Sequence, residues 1–132
     1  MTVVAGWIGG ADQGEVKTFL TKPKNLPSNL IEFISEGISI NTTANLMATD
    51  DKNGEPPVVT GSKTEGALLV MIKDKFGVEY KPIRASFDEN RGDRLITFSS
   101  LRKRMTVVLA KEKKGGISYT KGASEIVVAL CT

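Results

Sequence analysis

The sequence predicts an α+β fold, with a mainly antiparallel sheet flanked by helices. Two observations support this prediction. Apolar residues recur at helical spacing within residues 28–38 and 62–76, whereas residues 80–120 contain short β-prone runs separated by turn residues. Strands that return by hairpins and are interleaved with a few helices are typical of α+β proteins. The chain of 132 residues has the length of one domain, and we expect residues 1–132 to form a single domain.

In the first half of the chain the sequence predicts two short strands, a connector, one helix and a loop. Residues 1–8 and 16–20 are short strand candidates, and residues 22–28, which include two prolines, are a connector. A helix is expected over residues 28–38, and its first residue, a serine, is a suitable N-cap. Residues 41–60 are polar and rich in turn-forming residues, so we expect an exposed loop there.

The second half contains the strongest helical pattern, and strands follow it. The pattern spans residues 62–76, where Ser62 and Glu65 fit a capping box and Gly77 ends the apolar period. The segments expected after it are strands at 80–87, 94–100, 105–111 and 117–120, a hairpin turn at 111–116 and a closing helix at 121–130.

Composition and charge are those of an ordinary globular protein. Hydrophobic residues make up 40% of the chain and charged residues 25%. The net charge of +3 and the pI near 9.0 permit nucleic-acid binding without demanding it. The longest apolar run, residues 67–72, is far shorter than a membrane span, and the N-terminus lacks the layout of a signal peptide. We therefore expect these residues to be soluble.

Missing residue types exclude several kinds of active site. The chain has no histidine, so imidazole bases, histidine-ligated metals and Ser-His-Asp machinery are absent. The single cysteine, Cys131, excludes an intrachain disulfide and a thiolate zinc site. Neither a P-loop nor a dinucleotide-binding glycine loop occurs. These absences argue against an enzyme complete within these residues, and we predict neither catalytic residues nor a metal site.

Residues 98–104 combine an aromatic ring with three cations. Phe98 is either a core side chain or a platform on which a purine stacks, a contact that contributes about 1–3 kcal/mol. Strand alternation predicts that Phe98 shares a face with Ile96 and Ser100. The basic run at residues 102–104 is either a solvated connection between strands or a binding site for phosphates.

Glu65 and Lys121 also have two interpretations each. The Glu65 carboxylate can complete a capping box with Ser62 or accept a hydrogen bond from an exocyclic amine such as that of adenine, and the two roles need not exclude each other. Lys121 precedes the predicted closing helix, a location that favours anions, and Gly122 lets a ligand approach the backbone. The alternative is an ordinary strand end followed by a turn glycine.

At these residues the chain resembles the nucleotide-binding domain of P-type ATPases, and within that family the plasma-membrane-type calcium pumps. The motifs that carry the resemblance are Gly61-x-Lys63-Thr64-Glu65-x-x-Leu68-Leu69, Tyr80-x-Pro82-Ile83-Arg84, Phe98-Ser99-Ser100-x-Arg102-Lys103-x-Met105, Lys121-Gly122-Ala123-Ser124-Glu125 and the N-terminal Met1-Thr2-Val3-Val4. They span nearly the whole chain in the family's order. The resemblance implies the α+β fold of that nucleotide-binding domain.

The resemblance also implies which residues bind nucleotide. These are Glu65, Phe98, Arg102, Lys103, Lys121, Gly122 and Ala123. Phe98 is implied to stack on adenine, with Glu65 beside the edge of the base. Lys103 and Lys121 are implied to flank the base and point toward the phosphates, and the last two residues of the set to line the pocket.

The resemblance implies ATP as the ligand, bound as Mg-ATP in a parent pump. Many relatives of the endoplasmic-reticulum type have arginine where this chain has Ser100, so either that phosphate contact is missing or Arg102 supplies it; the plasma-membrane type resembles this chain in that respect. The Asp-Lys-Thr-Gly-Thr segment that accepts the phosphoryl group does not occur, nor does the later part of the domain, which contributes a further arginine in relatives. We therefore expect a partial domain that is not catalytic alone.

The parent pump implied by the resemblance sets the expected location and partners. We expect the cytoplasmic part of an integral membrane protein of the plasma membrane or an intracellular calcium store. The expected partners are the phosphorylation and actuator domains of the same pump, with neither nucleic acid nor direct membrane contact.

Three hypotheses for the function follow. The first is ATP binding, which we expect to be weak, on the order of millimolar. Stacking and one or two hydrogen bonds of about 1 kcal/mol must offset an association cost of at least about 4 kcal/mol. The second is a small basic nucleic-acid-binding module that uses residues 102–104 and 111–114, although the net charge is modest and aromatic residues make up only 6%. The third is a purely structural or interaction domain.

Overall fold

A computed structural model describes residues 1–4, 26–47, 57–111 and 115–131. In chain order the elements are α1 (Ser28–Ile40), β1 (Asn45–Met47), β2 (Val58–Thr60), α2 (Lys63–Phe76), α3 (Tyr80–Ala85), a 3₁₀ helix (Glu89–Arg91), β3 (Arg94–Ser99), β4 (Arg104–Lys111), β5 (Gly115–Gly122) and α4 (Ser124–Val128). They form two compact units, Met1–Tyr80 and Lys81–Thr132. Helices combined with antiparallel sheets confirm the predicted α+β class, whereas the single domain stays a prediction.

The first unit has its core between α2 and a two-stranded antiparallel sheet. β1 pairs with β2, and Leu46 lies opposite Val59. The buried side chains of this core are Ala44, Leu46, Leu69, Met71, Ile72 and Tyr80. The Tyr80 hydroxyl accepts a hydrogen bond of 3.0 Å from the backbone N–H of Leu46. Tyr80 therefore satisfies a buried donor of β1 as well as filling the core.

The helix predicted at residues 62–76 is confirmed as α2. Ser62 is its N-cap, and the Ser62 hydroxyl accepts a hydrogen bond of 3.4 Å from the N–H of Glu65. Gly77 ends the helix in the left-handed conformation, with φ of 68°, where glycine has no steric penalty. No helix among the residues described is long and apolar enough to cross a membrane.

Two expectations for the first unit are wrong. Residues 41–47 and 57–60 are not an exposed loop, because they include β1 and β2, and Asn41 and Thr42 are buried; residues 48–56 lie outside the described part. In α1 the N-cap position belongs to Pro27, and Ser28 is already helical. Of the predicted strand at 1–8, the described residues 1–4 have no regular structure. The predictions for residues 5–25 also lie outside the described part.

The second unit contains a three-stranded antiparallel sheet in the order β3–β4–β5. Met105, Val107 and Leu109 alternate along the central strand β4 and are buried, whereas the residues between them are half-buried. This period of two is the pattern of a strand with one core-facing side. Lys111 pairs with Gly115, so the predicted hairpin is confirmed, although its residues 112–114 lie outside the described part.

The predicted strand at residues 80–87 is wrong, because Tyr80–Ala85 is the helix α3. Pro82 lies in its first turn, where the missing N–H is not needed, whereas in a strand it would remove a ladder bond. Only Tyr80 is buried, and Ile83 and Arg84, one turn further on, are half-buried.

The closing helix is shorter than the predicted residues 121–130. β5 continues through Lys121 and Gly122, since these residues pair with Met105 and Arg104. The helix α4 has only five residues, Ser124–Val128, and Leu130 is exposed. The pairing with β4 therefore overrides the helical period at this end of the chain.

A fully buried carboxylate, Asp93, connects the 3₁₀ helix to β4. It accepts hydrogen bonds from the backbone N–H groups of Asp88 at 2.9 Å and Ala110 at 2.8 Å, and from Nη2 of Arg91 at 2.6 Å. Burial raises the pKa of Asp93, but the two backbone donors and then Arg91 more than offset it, so the pKa lies below its ordinary value. Asp93 is thus charged at neutral pH.

Candidate functional site

Six of the seven predicted site residues lie at one end of the β3–β4–β5 sheet. They are Phe98, Arg102, Lys103, Lys121, Gly122 and Ala123. The strand register fixes this grouping, because Arg104 pairs with both Ser99 and Gly122. The N–H of Ala123 also donates a hydrogen bond of 3.1 Å to the carbonyl of Lys103. The seventh residue, Glu65, belongs to the first unit.

Phe98 lies in a β-bulge and is exposed. Ile96 pairs with Thr106 and Ser99 with Arg104, so the register shifts by one residue and Thr97 and Phe98 both lie opposite Met105. Bulges re-aim side chains and often occur beside functional sites. The Phe98 side chain is 60% exposed, which makes the core interpretation wrong.

The bulge also affects the predicted neighbours of Phe98. The expectation that Phe98 shares a face with Ile96 and Ser100 assumes regular alternation, which the register shift interrupts. Met105 pairs with Lys121 on its other side. The backbones of Phe98 and Lys121 are therefore level with each other and two strand spacings apart, about 10 Å.

Lys103 ends the turn between β3 and β4 in an unusual backbone conformation. Its φ of 49° is the one positive value among the non-glycine residues described, and this region costs an L-residue about 1–2 kcal/mol. The Lys103 N–H donates a hydrogen bond of 2.7 Å to the carbonyl of Ser99, which closes the turn. The side chain is exposed. Strain of this kind concentrates at functional sites.

Arg102 and Gly122 have structural roles within the protein that do not require a ligand. Nη2 of Arg102 donates a hydrogen bond to the carbonyl of Thr97. A Cβ at Gly122 would lie 2.4 Å from the carbonyl oxygen of Lys103 and 2.8 Å from Cβ of Arg104. Gly122 is therefore required by the close approach of β5 to the end of the turn.

Glu65 ties the start of α2 to the segment that follows α1. Its Oε2 accepts hydrogen bonds from the N–H of Thr43 at 2.8 Å, the hydroxyl of Thr43 at 3.0 Å and the N–H of Ala44 at 3.1 Å. The Ser62 hydroxyl caps the N–H of Glu65, but these three bonds direct Oε2 to a different segment from the one a capping box predicts. The contact between Glu65 and adenine stays a prediction.

Sequence reasoning missed Thr43, Ala44 and Thr97 as partners of the predicted site residues. Two of their contacts use backbone N–H groups and one uses a backbone carbonyl, which every residue type provides. Only the Thr43 hydroxyl gave a side-chain signal, and it lies in a segment whose polarity predicted a loop.

Comparison with known proteins identifies the family. The family model for the P-type ATPase, cytoplasmic domain N, matches residues 29–132. The chain belongs to this family. It is 34% identical to the plasma membrane calcium-transporting ATPase 4 of Bos taurus. It is 32% identical to the ATPases 3 of Homo sapiens and 1 of Gallus gallus. The alignments cover 99–100% of this chain but only 10% of each relative. They confirm the resemblance seen in the motifs and the fold of a P-type ATPase domain N.

Proposed function

We propose that this P-type ATPase domain N binds ATP at the end of the β3–β4–β5 sheet. In this proposal the adenine ring stacks on Phe98, and Lys103 and Lys121 attract the phosphates. The observation that supports it best is the exposed phenylalanine in a bulge level with Lys121. The two backbones are about 10 Å apart across β4, so a nucleoside lying over this end of β4 is within reach of both side chains. In this proposal Gly122 and Ala123 line the nucleotide pocket next to Lys103, whose carbonyl accepts a hydrogen bond from the N–H of Ala123.

The proposed affinity is low, on the order of millimolar. Stacking supplies about 1–3 kcal/mol, and surface cations add little in water because solvent and salt screen them. Lys103, the exposed cation, provides attraction rather than a buried ion pair. The domain is therefore proposed to bind and position ATP, and to leave catalysis to parts of the pump outside these residues.

For the whole protein, we propose a pump that couples ATP hydrolysis to calcium transport. The names of the relatives support this, and the chain spans about a tenth of their length. Domain N presents the terminal phosphate of ATP, carried as its magnesium complex, to an aspartate on a separate phosphorylation domain. An actuator domain of the same pump is the other proposed partner. The domain is proposed to lie on the cytoplasmic side of a plasma-membrane or calcium-store membrane.

Substituting Phe98 tests the proposed function. We expect Phe98→Ala to reduce ATP affinity about 5- to 150-fold, which corresponds to the stacking energy of about 1–3 kcal/mol. Because the ring is exposed, the unfolding free energy should change by less than about 0.5 kcal/mol. The measurement is an ATP titration followed by amide chemical shifts, alongside urea unfolding.

Leu101→Ala is the matched control, because Leu101 lies in the adjacent turn and is 93% exposed. It should leave ATP binding unchanged. Wild-type protein without shifts around Phe98 and Lys121 at high millimolar ATP would overturn the proposal. Binding of single-stranded DNA with a steep salt dependence would instead support the nucleic-acid module.

A further inference from the structure

We infer that Arg102 is a positioning residue for Phe98 rather than a phosphate ligand. Its guanidinium donates from Nη2 to the carbonyl of Thr97, the residue directly before Phe98. The inference rests on the proposed function, since it concerns how the stacking ring is held. It replaces the alternative in which Arg102 supplies the phosphate contact made in relatives by an arginine at the position of Ser100.

The bulge explains why the Thr97 carbonyl is available to a donor outside the strand ladder. Thr97 and Phe98 together lie opposite the single residue Met105, so a β-bulge leaves part of its backbone without a partner in the ladder. A charged donor forms a stronger bond to such a carbonyl than a neutral one does. Arg102 thus holds the backbone of the bulge directly before Phe98.

The turn between β3 and β4 brings Arg102 back to this carbonyl. The bond from the Lys103 N–H to the Ser99 carbonyl, at 2.7 Å, closes the chain over residues 100–102. Pairing of Ser99 with Arg104 fixes both ends of the turn. Arg102 is half-buried, whereas its neighbour Lys103 is exposed. The two adjacent cations therefore differ in role: one holds the bulge and the other remains at the surface for phosphate.

The chemistry of arginine fits the positioning role better than a lysine would. A guanidinium is planar and holds its N–H donors in a fixed fork, so a bond to one carbonyl also fixes the side chain. An ammonium on a flexible stem keeps the charge but loses this geometry. A phosphate ligand, by contrast, tolerates lysine as a point charge. Arg102→Lys consequently separates the two roles.

The experiment compares ATP with adenosine, which has the same base but no phosphate. Variants Arg102→Ala and Arg102→Lys of the 132-residue chain are titrated with each ligand, and amide shifts give the relative affinities. We expect both variants to lose about five- to tenfold in affinity, the loss of roughly one hydrogen bond, and to lose it equally for adenosine and ATP. Lys103→Gly should show the opposite pattern, because it removes a phosphate-facing charge: weaker ATP binding with adenosine unchanged.

Controls and a ligand-free measurement complete the test. Lys75→Gln removes an exposed charge at the end of α2, in the first unit, and should change neither affinity. The amide of Phe98 is part of the peptide group whose carbonyl accepts the Arg102 bond, so its nitrogen shift should move in both Arg102 variants and not in Lys75→Gln. This chemical-shift measurement requires no ligand, so it tests the inference even if wild-type protein binds neither ATP nor adenosine.

Three results would overturn the inference. The first is adenosine binding that both Arg102 variants retain while ATP binding falls. The second is Arg102→Lys that behaves as wild type with both ligands, as a point-charge contact predicts. The third is a Phe98 amide whose shift is indifferent to Arg102. Absence of any ATP binding by wild-type protein would overturn the proposed function alone, and the Phe98 amide shift would then decide the inference.

Discussion

The three hydrogen bonds accepted by Oε2 of Glu65 determine how substitutions at that residue should be interpreted. Two of the donors are backbone N–H groups, and one belongs to the fully buried Ala44. A Glu65 variant that binds ATP poorly could have lost a base contact or displaced this segment. Stability must therefore be measured together with binding.

We expect Glu65→Ala to lower the unfolding free energy by about 1–3 kcal/mol, because it removes the carboxylate that accepts the partly buried N–H of Ala44 and the exposed donors of Thr43. Glu65→Gln keeps one side-chain oxygen and should lose only about half as much. Thr43→Val is the matched control, since it removes only the hydroxyl bond and should cost at most about 1 kcal/mol. Urea unfolding of the four proteins gives these values. A Glu65→Ala variant as stable as wild type would show that the three bonds contribute nothing.

The sequence predicted which residues make up the candidate site better than it predicted their exposure and the strand register that groups them. An aromatic beside a basic run, and a lysine and glycine before a helix, are visible as residue types, and the strand register groups them. The exposure of Phe98 was not predictable, since a strand phenylalanine is ordinarily a core residue. Leu95, Ile96 and Phe98 are all exposed along β3. The register shift at Thr97 and Phe98 arises from pairing between strands and has no local signal either.

At the scale of elements, strong periodic segments were predictable and short ones were not. α2 carries its own cap and stop, so its bounds follow from local chemistry. α3 has only six residues, too few for a helical period to stand out from alternation. β1 and β2 have three residues each and are stabilised by packing on α2. The polar residues around β1 and β2 therefore led to the prediction of a loop, despite the apolar residues in the two strands.

The packing of α2 on β2 reverses the usual effect of a glycine-to-alanine change in a helix. Alanine is ordinarily better there by about 1 kcal/mol. At Gly66, however, a Cβ would lie 2.2 Å from Cγ1 and 2.6 Å from Cγ2 of Val59, and valine is stiff at χ1. We expect Gly66→Ala to destabilise the protein by about 1–3 kcal/mol in urea or thermal unfolding.

The double variant Gly66→Ala with Val59→Ala separates overpacking from other causes. Shortening Val59 removes the two nearest methyl groups, so adding the Gly66 methyl in that background should be close to neutral. The expected coupling between the two sites is at least about 1 kcal/mol. Additive effects would show that the two residues do not oppose each other across this contact.

At the scale of the whole molecule, the two units have different kinds of anchor. The first unit is centred on an apolar cluster around Leu69 and Ile72, with Tyr80 as its polar link to β1. The second unit has a fully buried carboxylate in addition to the apolar face of β4, since Asp93 is 2.6 Å from Nη2 of the exposed Arg91. The carboxylate on which the first unit relies, Glu65, is half-buried, whereas Asp93 is fully buried. A buried carboxylate with a shifted pKa makes stability depend on pH.

The acid response of the second unit follows from the direction of the Asp93 pKa. In the unfolded chain this carboxyl titrates near its ordinary value of 3.8, and in the folded protein it titrates lower. Its contribution to stability is therefore complete well above pH 4. It declines once the unfolded chain begins to take up the proton, and it is lost as the pH falls through the native pKa. We expect hydrogen exchange to show that β4 loses protection as the pH falls below the ordinary carboxyl pKa of 3.8.

Asp93→Asn should cost about 1–3 kcal/mol at pH 7, because an amide oxygen cannot accept all three hydrogen bonds of the carboxylate, and should remove this part of the acid dependence. Asp74→Asn, at an exposed position in α2, is the matched control and should retain the full dependence. Equal acid sensitivity in Asp93→Asn and Asp74→Asn would mean that other carboxylates govern the transition.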